Sequence, residues 1–175
     1  RIENNTAKNN GNGDDAGIEI VSSSSPSVLA KNNYIENNNY AGILISLTNV
    51  PNHVSDINIT GNTINQTGNL YGIAILDSYY NIVENNAIYN STFAGIYILS
   101  YTSLLTVGYN NITGNIIDIS NNNSIILDNT TVSGTFLNNS IWLNHLYSNI
   151  SDRTQTAITS FCVNNEGNFY REGLI

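Results

Sequence analysis

The stretch Gly72-Ile73-Ala74-Ile75-Leu76-Asp77-Ser78-Tyr79-Tyr80-Asn81-Ile82-Val83-Glu84-Asn85-Asn86-Ala87-Ile88 carries two signals that decide the reading of the whole chain. It begins with Gly-Ile-x-Ile. Residues two apart on an extended chain share a face, so Ile73 and Ile75 point one way and Ala74 the other. It ends with Asn86 two residues before Ile88, a bend-forming residue leading into another short apolar segment. Both signals recur. Gly-Ile-x-Ile stands at Gly17, Gly42, Gly72 and Gly95, spaced by 25, 30 and 23 residues, and continues more loosely at Ile117-Asp118-Ile119 and Ile141-Trp142-Leu143. Asn followed two residues later by Ile occurs at Asn33, Asn62, Asn86 and Asn110. A third apolar set, Ile57/Ile59, Ile82, Leu105/Val107 and Ile125/Leu127, lies between them.

Three short strands in a turn of roughly 24 residues describe a three-sided coil rather than a hairpin sheet. The predicted fold class is therefore all-β, a parallel β-helix of about six to seven coils, roughly 34 Å long at the usual strand spacing. Asn suits the corners because its short amide tolerates a left-handed backbone. Coils about 4.8 Å apart also let corner amides bond one another along the axis. Asn33, Asn62, Asn86 and Asn110 are expected to form such a ladder. The coils are expected over residues 1–151, with a loop projecting near 47–55 around Pro51 and His53. Residues 152–175 leave the repeat and read as a cap or a subunit junction. A chain that begins at Arg1 with no Met reads as a processed form or a fragment of a longer protein.

Composition bounds the chemistry. With 34 Asn and 25 Ile in 175 residues, two residue types make up a third of the chain. The 41% hydrophobic fraction is too high for disorder despite a formal charge of -8. Nucleic acid is excluded as a partner, because binding rests on phosphate neutralisation and there is no Lys or Arg between Asn32 and Asp152. No apolar run is long enough to span a membrane as a helix.

The repeat over residues 72–88 resembles that of right-handed parallel β-helix proteins. That superfamily holds pectate lyase-like enzymes, alginate epimerases and the β-helix maturation protein of nitrous oxide reductase. It is also similar to Asn-rich β-helix repeats of archaeal and bacterial surface proteins. The resemblance covers most of residues 1–145 and implies the right-handed coil. It is unspecific for activity, because the matching positions are core and corner residues.

Candidate sites follow from side-chain chemistry. Asp14 and Asp15 form a carboxylate pair of the kind used in glycoside hydrolysis, and with nearby Asn carbonyls they are a weak calcium candidate. In Asn-Gly-Asn-Gly-Asp-Asp a turn is the simpler reading. Uronate-processing chemistry needs cations to neutralise the substrate carboxylate, and the chain has no Lys or Arg from Asn32 to Asp152. His53 and His145 have no metal-ligand spacing, so a copper role rests on the resemblance alone. Outward positions beside the Ile pairs make a column of Glu19, Leu44, Ala74, Tyr97, Asp118 and Trp142. Within it, Leu44, Ala74, Tyr97 and Trp142 are a candidate glycan- or partner-binding strip, unless a loop or the C-terminal segment covers it. Asn-x-Ser/Thr occurs at Asn4, Asn58, Asn65, Asn90, Asn111, Asn122, Asn129, Asn138 and Asn149, against about six expected by chance. Lone Cys162 is a buried or free thiol, or an intermolecular disulfide.

The expected function is a non-catalytic extracellular structural protein, a surface, sheath or adhesin-like module. It would self-associate as a homo-oligomer or filament through its coil ends or its apolar strip. The alternatives are a β-helix that binds or acts on neutral glycans, and a periplasmic copper-handling maturation factor. No cofactor is required by the first two.

Overall fold

The computed structural model describes residues 1–10, 15–21, 27–46, 54–66, 70–100, 106–119, 123–128, 135–148, 150–153, 158–161 and 169–170. The chain winds as an all-β parallel solenoid. Its strands, coil by coil, are β1 (Ile2–Glu3), β2 (Thr6–Lys8) and β3 (Ala16–Val21); β4 (Leu29–Lys31), β5 (Tyr34–Glu36) and β6 (Ala41–Ser46). Then come β7 (Val54–Ser55), β8 (Asn58–Thr60), β9 (Thr63–Asn65) and β10 (Tyr71–Leu76); β11 (Ser78–Tyr79), β12 (Ile82–Glu84), β13 (Ala87–Tyr89) and β14 (Ala94–Leu99). They continue with β15 (Thr106–Gly108), β16 (Asn111–Thr113), β17 (Ile116–Asp118) and β18 (Asn123–Asp128); β19 (Thr135–Trp142), β20 (His145–Leu146) and β21 (Ile150–Arg153); β22 (Ile158–Phe161) and β23 (Phe169–Tyr170).

Like strands stack on like. The first face is β1-β4-β8-β12-β16-β19, the second β2-β5-β9-β13-β17-β20-β23 and the third β3-β6-β10-β14-β18-β21. A short strip, β7-β11-β15, joins the first sheet through the long β19. Four coils, from β4 to β18, are bonded to a neighbour on both sides of all three faces. The regular solenoid is thus about four coils deep, fewer than the six to seven expected. The expected loop at 47–55 lies outside the described residues up to position 53.

Inward side chains stack into one core running the length of the coils. Ile35, Ile64, Ile88 and Ile117 line the second face, and Ile43, Ile73, Ile96 and Ile125 the third, all fully buried. Three expectations about phase are corrected by the register. Ile125 pairs with Ile96 on the third face, a step of 29 residues, whereas Ile117 pairs with Ile88 on the second and Ile141 with Ile112 on the first. Val83, not Ile82, is the inward residue of β12. Asn110 belongs to a different ladder from Asn33, Asn62 and Asn86. The cause is that Ile-x-Ile also occurs away from the third face, at Ile57/Ile59 leading into β8 and Ile117/Ile119 running out of β17, so the pattern alone does not say which face a segment occupies.

The corners use two adjacent residues for two tasks. The first turns the chain with a positive φ: Asn4, Asn32, Gly61, Asn85, Gly114 and Leu143 occupy one corner column. The second buries an amide. From exposed Asn5 through buried Asn33, Asn62, Asn86 and Asn115 to Asn144, five hydrogen bonds run from each Nδ2 to the next Oδ1 at 2.9–3.1 Å. The same Oδ1 accepts the backbone N–H of the preceding ladder Asn. A second ladder runs Asn81–Asn110–Asn139, with Nδ2 to Oδ1 distances of 2.8 and 2.9 Å.

Leu143 breaks the corner rule. A branched side chain at φ 52 crowds its own backbone, at about 1–2 kcal/mol for a non-glycine residue. Leu143→Asn is expected to raise stability by about 1 kcal/mol, a rise of about 2–4 °C in Tm for a chain of this size. Thermal unfolding followed by circular dichroism checks it. Tyr80 at φ 56 and Tyr109 at φ 54 carry the same strain at another corner.

Candidate functional site

The third face is buried on its outer side as well. Its outward column reads Glu19, Leu44, Ala74, Tyr97 and Ile126 in direct register. Asp118 and Trp142 do not belong to it: Asp118 stands beside Tyr89 on the second face and Trp142 beside Thr113 on the first. The expected strip is therefore split, and three of its four residues are not an open surface. Leu44, Ala74 and Tyr97 are 6%, 0% and 7% exposed, inside a second apolar cluster with Ala41, Tyr71, Ala94, Leu99 and Ile126.

Aromatic rings close this cluster. Tyr71 sits in register between Ala41 and Ala94, where two small neighbours leave room for its ring. It stacks on Tyr97 at 4.7 Å, and Tyr40 and Phe93, from the bends just before β6 and β14, meet it edge-on at 5.1 and 5.5 Å. The Tyr97 hydroxyl donates to Asp128 Oδ2 at 3.1 Å. Burial, with Tyr40 and the Asp128 charge beside it, pushes the Tyr71 phenol up to about 12. Burial and Asp128 hold Tyr97 well above the ordinary phenol value too. Both therefore stay protonated donors rather than bases or nucleophiles. The cluster is chemically quiet and clamps four neighbouring coils together.

The other expected residues are dispersed. Asp14, His53 and Cys162 lie outside the described residues. Asp15 is exposed, and its carbonyl accepts the Tyr40 N–H at 3.0 Å. His145 is exposed on the second face, its ring on Tyr147 at 4.9 Å. Among the described residues no group of three or more His, Cys, Asp or Glu side chains converges as a metal site. Of the Asn-x-Ser/Thr sites, Asn4 and Asn90 are exposed at corners with φ 56 and 60. Asn58, Asn65 and Asn111 are half-buried, Asn122, Asn129 and Asn149 are outside the described residues, and the Asn138 side chain is too. Near β1 and β2, Arg1 pairs with Glu3 at 2.6 Å and Lys8 with Glu36 at 2.7 Å.

The open aromatic surface lies on the first face, where the sequence pattern did not place it. Tyr80 and Tyr109, at one corner of adjacent coils, stack at 4.8 Å with ring planes 16° apart, and Tyr79 meets Tyr80 edge-on at 5.1 Å. Both remain accessible, 49% and 40% exposed, as does neighbouring Ile82 at 38%. Trp142 ends the same face, its indole N–H donating to Asn111 Oδ1 at 3.0 Å. The available signal was Tyr-Asn at 80–81 and 109–110, in the slot where the first corner column has Asn-Asn or Gly-Asn. Among the described residues no helix is long and apolar enough to cross a membrane. No protein-family model, no curated protein and no solved structure matches the chain, which stands on its own geometry as a parallel β-solenoid with internal asparagine ladders.

Proposed function

We propose that the chain is a non-catalytic structural module of a cell surface or sheath, whose copies associate end to end. The observation that carries this reading is the common direction of the amide ladders. In both, each Nδ2 donates toward the higher-numbered coil, from Asn5 to Asn33 onward and from Asn81 to Asn110 to Asn139. One end of the coil stack therefore offers an acceptor, Asn5 Oδ1. The donors point toward the other end, where β22 still pairs on β19 with Thr159 opposite Asn139, whose Nδ2 is buried without a hydrogen-bond partner. Ends of opposite polarity complement each other head to tail, a contact that propagates as a filament when it does not close. Ile2 and Ala7 lie partly buried against the core at the first coil, apolar surface that another coil would cover. The low charge and the resemblance to Asn-rich surface repeats support the external setting. Negative-stain electron microscopy of the purified chain is expected to show filaments or tubes, lost in an Ile2→Lys, Ala7→Lys double variant. Discrete short rods from the native chain at high concentration would overturn the proposal.

A further inference from the structure

Among the described residues, eleven besides glycine hold a positive φ, and eight of them are Asn or Asp. The others are Leu143, Tyr80 and Tyr109. Leu143 is half-buried, so packing can hold it in place. The two tyrosines are different: their rings touch each other yet remain open to water on one side, as their exposure shows. Asn in both places would relieve the backbone and preserve the corner, so fold stability does not explain why tyrosine stands there. Strain that folding does not require points to a use of the exposed rings.

What surrounds them says what that use is. A centroid distance of 4.8 Å exceeds the roughly 3.5–4.0 Å at which carbon atoms touch, so the rings overlap like tiles and each keeps part of a face free. Ile82 continues the apolar floor along β12, in register with Asn111 on β16. Trp142, tied to Asn111, lies on the neighbouring strand opposite Thr113, about 13 Å along the strand direction from Tyr109. Glu84, on β12 opposite Thr113 and so level with Trp142 along the strand direction, adds an acceptor at that end. No Lys or Arg occurs between residues 32 and 152, and Lys31 on β4 of this face lies two strands away from β12. Ring faces that stack on C–H surfaces, with an amide and a carboxylate that accept hydroxyl protons, match a sugar. The absence of any Lys or Arg between residues 32 and 152, together with Glu84, matches an uncharged one and repels a polyanion.

We propose that the outer surface of the first face, from Tyr80 and Tyr109 to Trp142, binds a neutral oligosaccharide long enough to reach both aromatic ends. This site is independent of end-to-end association. Isothermal titration of the full chain tests it, with linear hexasaccharides of glucose, mannose and xylose as probes and hexagalacturonate as the anionic control. At least one neutral probe is expected to bind saturably, and the anionic one not at all. Tyr80→Asn and Tyr109→Asn are expected to weaken binding by at least about tenfold, with Tm at or above that of the native chain. Trp142→Phe, which keeps an aromatic ring but loses the bond to Asn111, is expected to weaken it less. The proposal is overturned if no neutral probe binds, if hexagalacturonate binds as well, or if the Tyr→Asn variants bind normally. It is also overturned if those variants lose several degrees of Tm, which makes the ring stack a structural device. Sedimentation showing that the tyrosines instead hold two copies side by side would overturn it as well.

Discussion

Asn86→Ala is expected to cost about 3–5 kcal/mol of stability and on the order of 10 °C in Tm, a large effect for one surface-neutral residue type. Asn86 is 1% exposed and every polar atom of its side chain is used. Its Oδ1 accepts from the Asn62 backbone N–H at 3.0 Å and from Asn62 Nδ2 at 2.9 Å. Its Nδ2 donates to the Ile59 carbonyl and to Asn115 Oδ1, both at 3.0 Å. Truncation removes one partner from each of four hydrogen bonds, and the groups left behind are in a dry corner where each missing bond costs roughly 1–3 kcal/mol before relaxation. Asn86→Asp separates hydrogen bonding from volume. The introduced carboxyl is close in size but cannot donate when ionised, and burial raises its folded pKa above the unfolded value of about 3.9. Its ionised form is therefore disfavoured by folding: the variant's deficit is smallest below about pH 4 and grows as the pH rises through the folded pKa. Asn90→Ala is the surface comparison. Asn90 is exposed and shares one bond with Asn65 Oδ1 at 2.9 Å, so about 1–2 kcal/mol is expected, mostly from its positive φ. Urea unfolding of the variants from pH 4 to 8 checks the ranking. A loss at Asn86 no larger than at Asn90 would show that the ladder amides are replaceable by water.

The same adjacency of turning residue and buried amide explains what was legible in the sequence and what was not. Gly-Ile-x-Ile identified the third face as far as Gly95, because the glycine marks that face alone. In the next coil Ser124 takes the glycine's place between Asn123 and Ile125. From there the third face continues as Ile125-Ile126-Leu127, while Ile-x-Ile itself reappears at Ile117/Ile119 on the second face. Ile117 and Ile141 were consequently read one face out of phase, carrying Asp118 and Trp142 into the wrong outward column. Asn-x-Ile failed in the same way at Asn110. The doublets Asn32-Asn33, Gly61-Asn62, Asn85-Asn86 and Gly114-Asn115 are the sharper corner signal, since the positive φ and the buried amide fall on neighbouring residues. For the candidate site, alternation of side chains correctly turned Leu44, Ala74 and Tyr97 outward. Period two says which side a residue faces and not whether that side is covered. The cover includes Tyr40 and Phe93, which sit in bends where no periodicity reaches them.

Gly72→Ala is the second large effect, about 3 kcal/mol or more of destabilisation, although the substitution is normally mild. A methyl added at Gly72 points into the core against Cγ2 of Ile88 and within 2.6 Å of the Gly95 carbonyl oxygen. Overpacking of this kind costs typically 1–3 kcal/mol when side chains alone must move. Here one obstacle is backbone held in the third-face ladder, so the coil spacing itself must open. The smaller entropy of the unfolded Ala chain offsets only about 0.4–1 kcal/mol. The chain contains its own control. Gly17, Gly42, Gly72 and Gly95 each abut the Cγ2 methyl of a second-face isoleucine one coil on, Ile35, Ile64, Ile88 and Ile117 respectively. At the next step Ser124 replaces the glycine, and the residue stacked on Ile117 is Leu146, which has no branch at Cβ. A side chain is thus admitted where the opposing methyl is gone. Gly72→Ala combined with Ile88→Leu is therefore expected to recover more than half of the stability lost by Gly72→Ala, while Ile88→Leu alone costs less than about 1.5 kcal/mol. Chemical denaturation of the two single variants and the double variant completes the cycle. Additive losses would show that the Gly95 carbonyl, rather than the Ile88 methyl, excludes a side chain from this column.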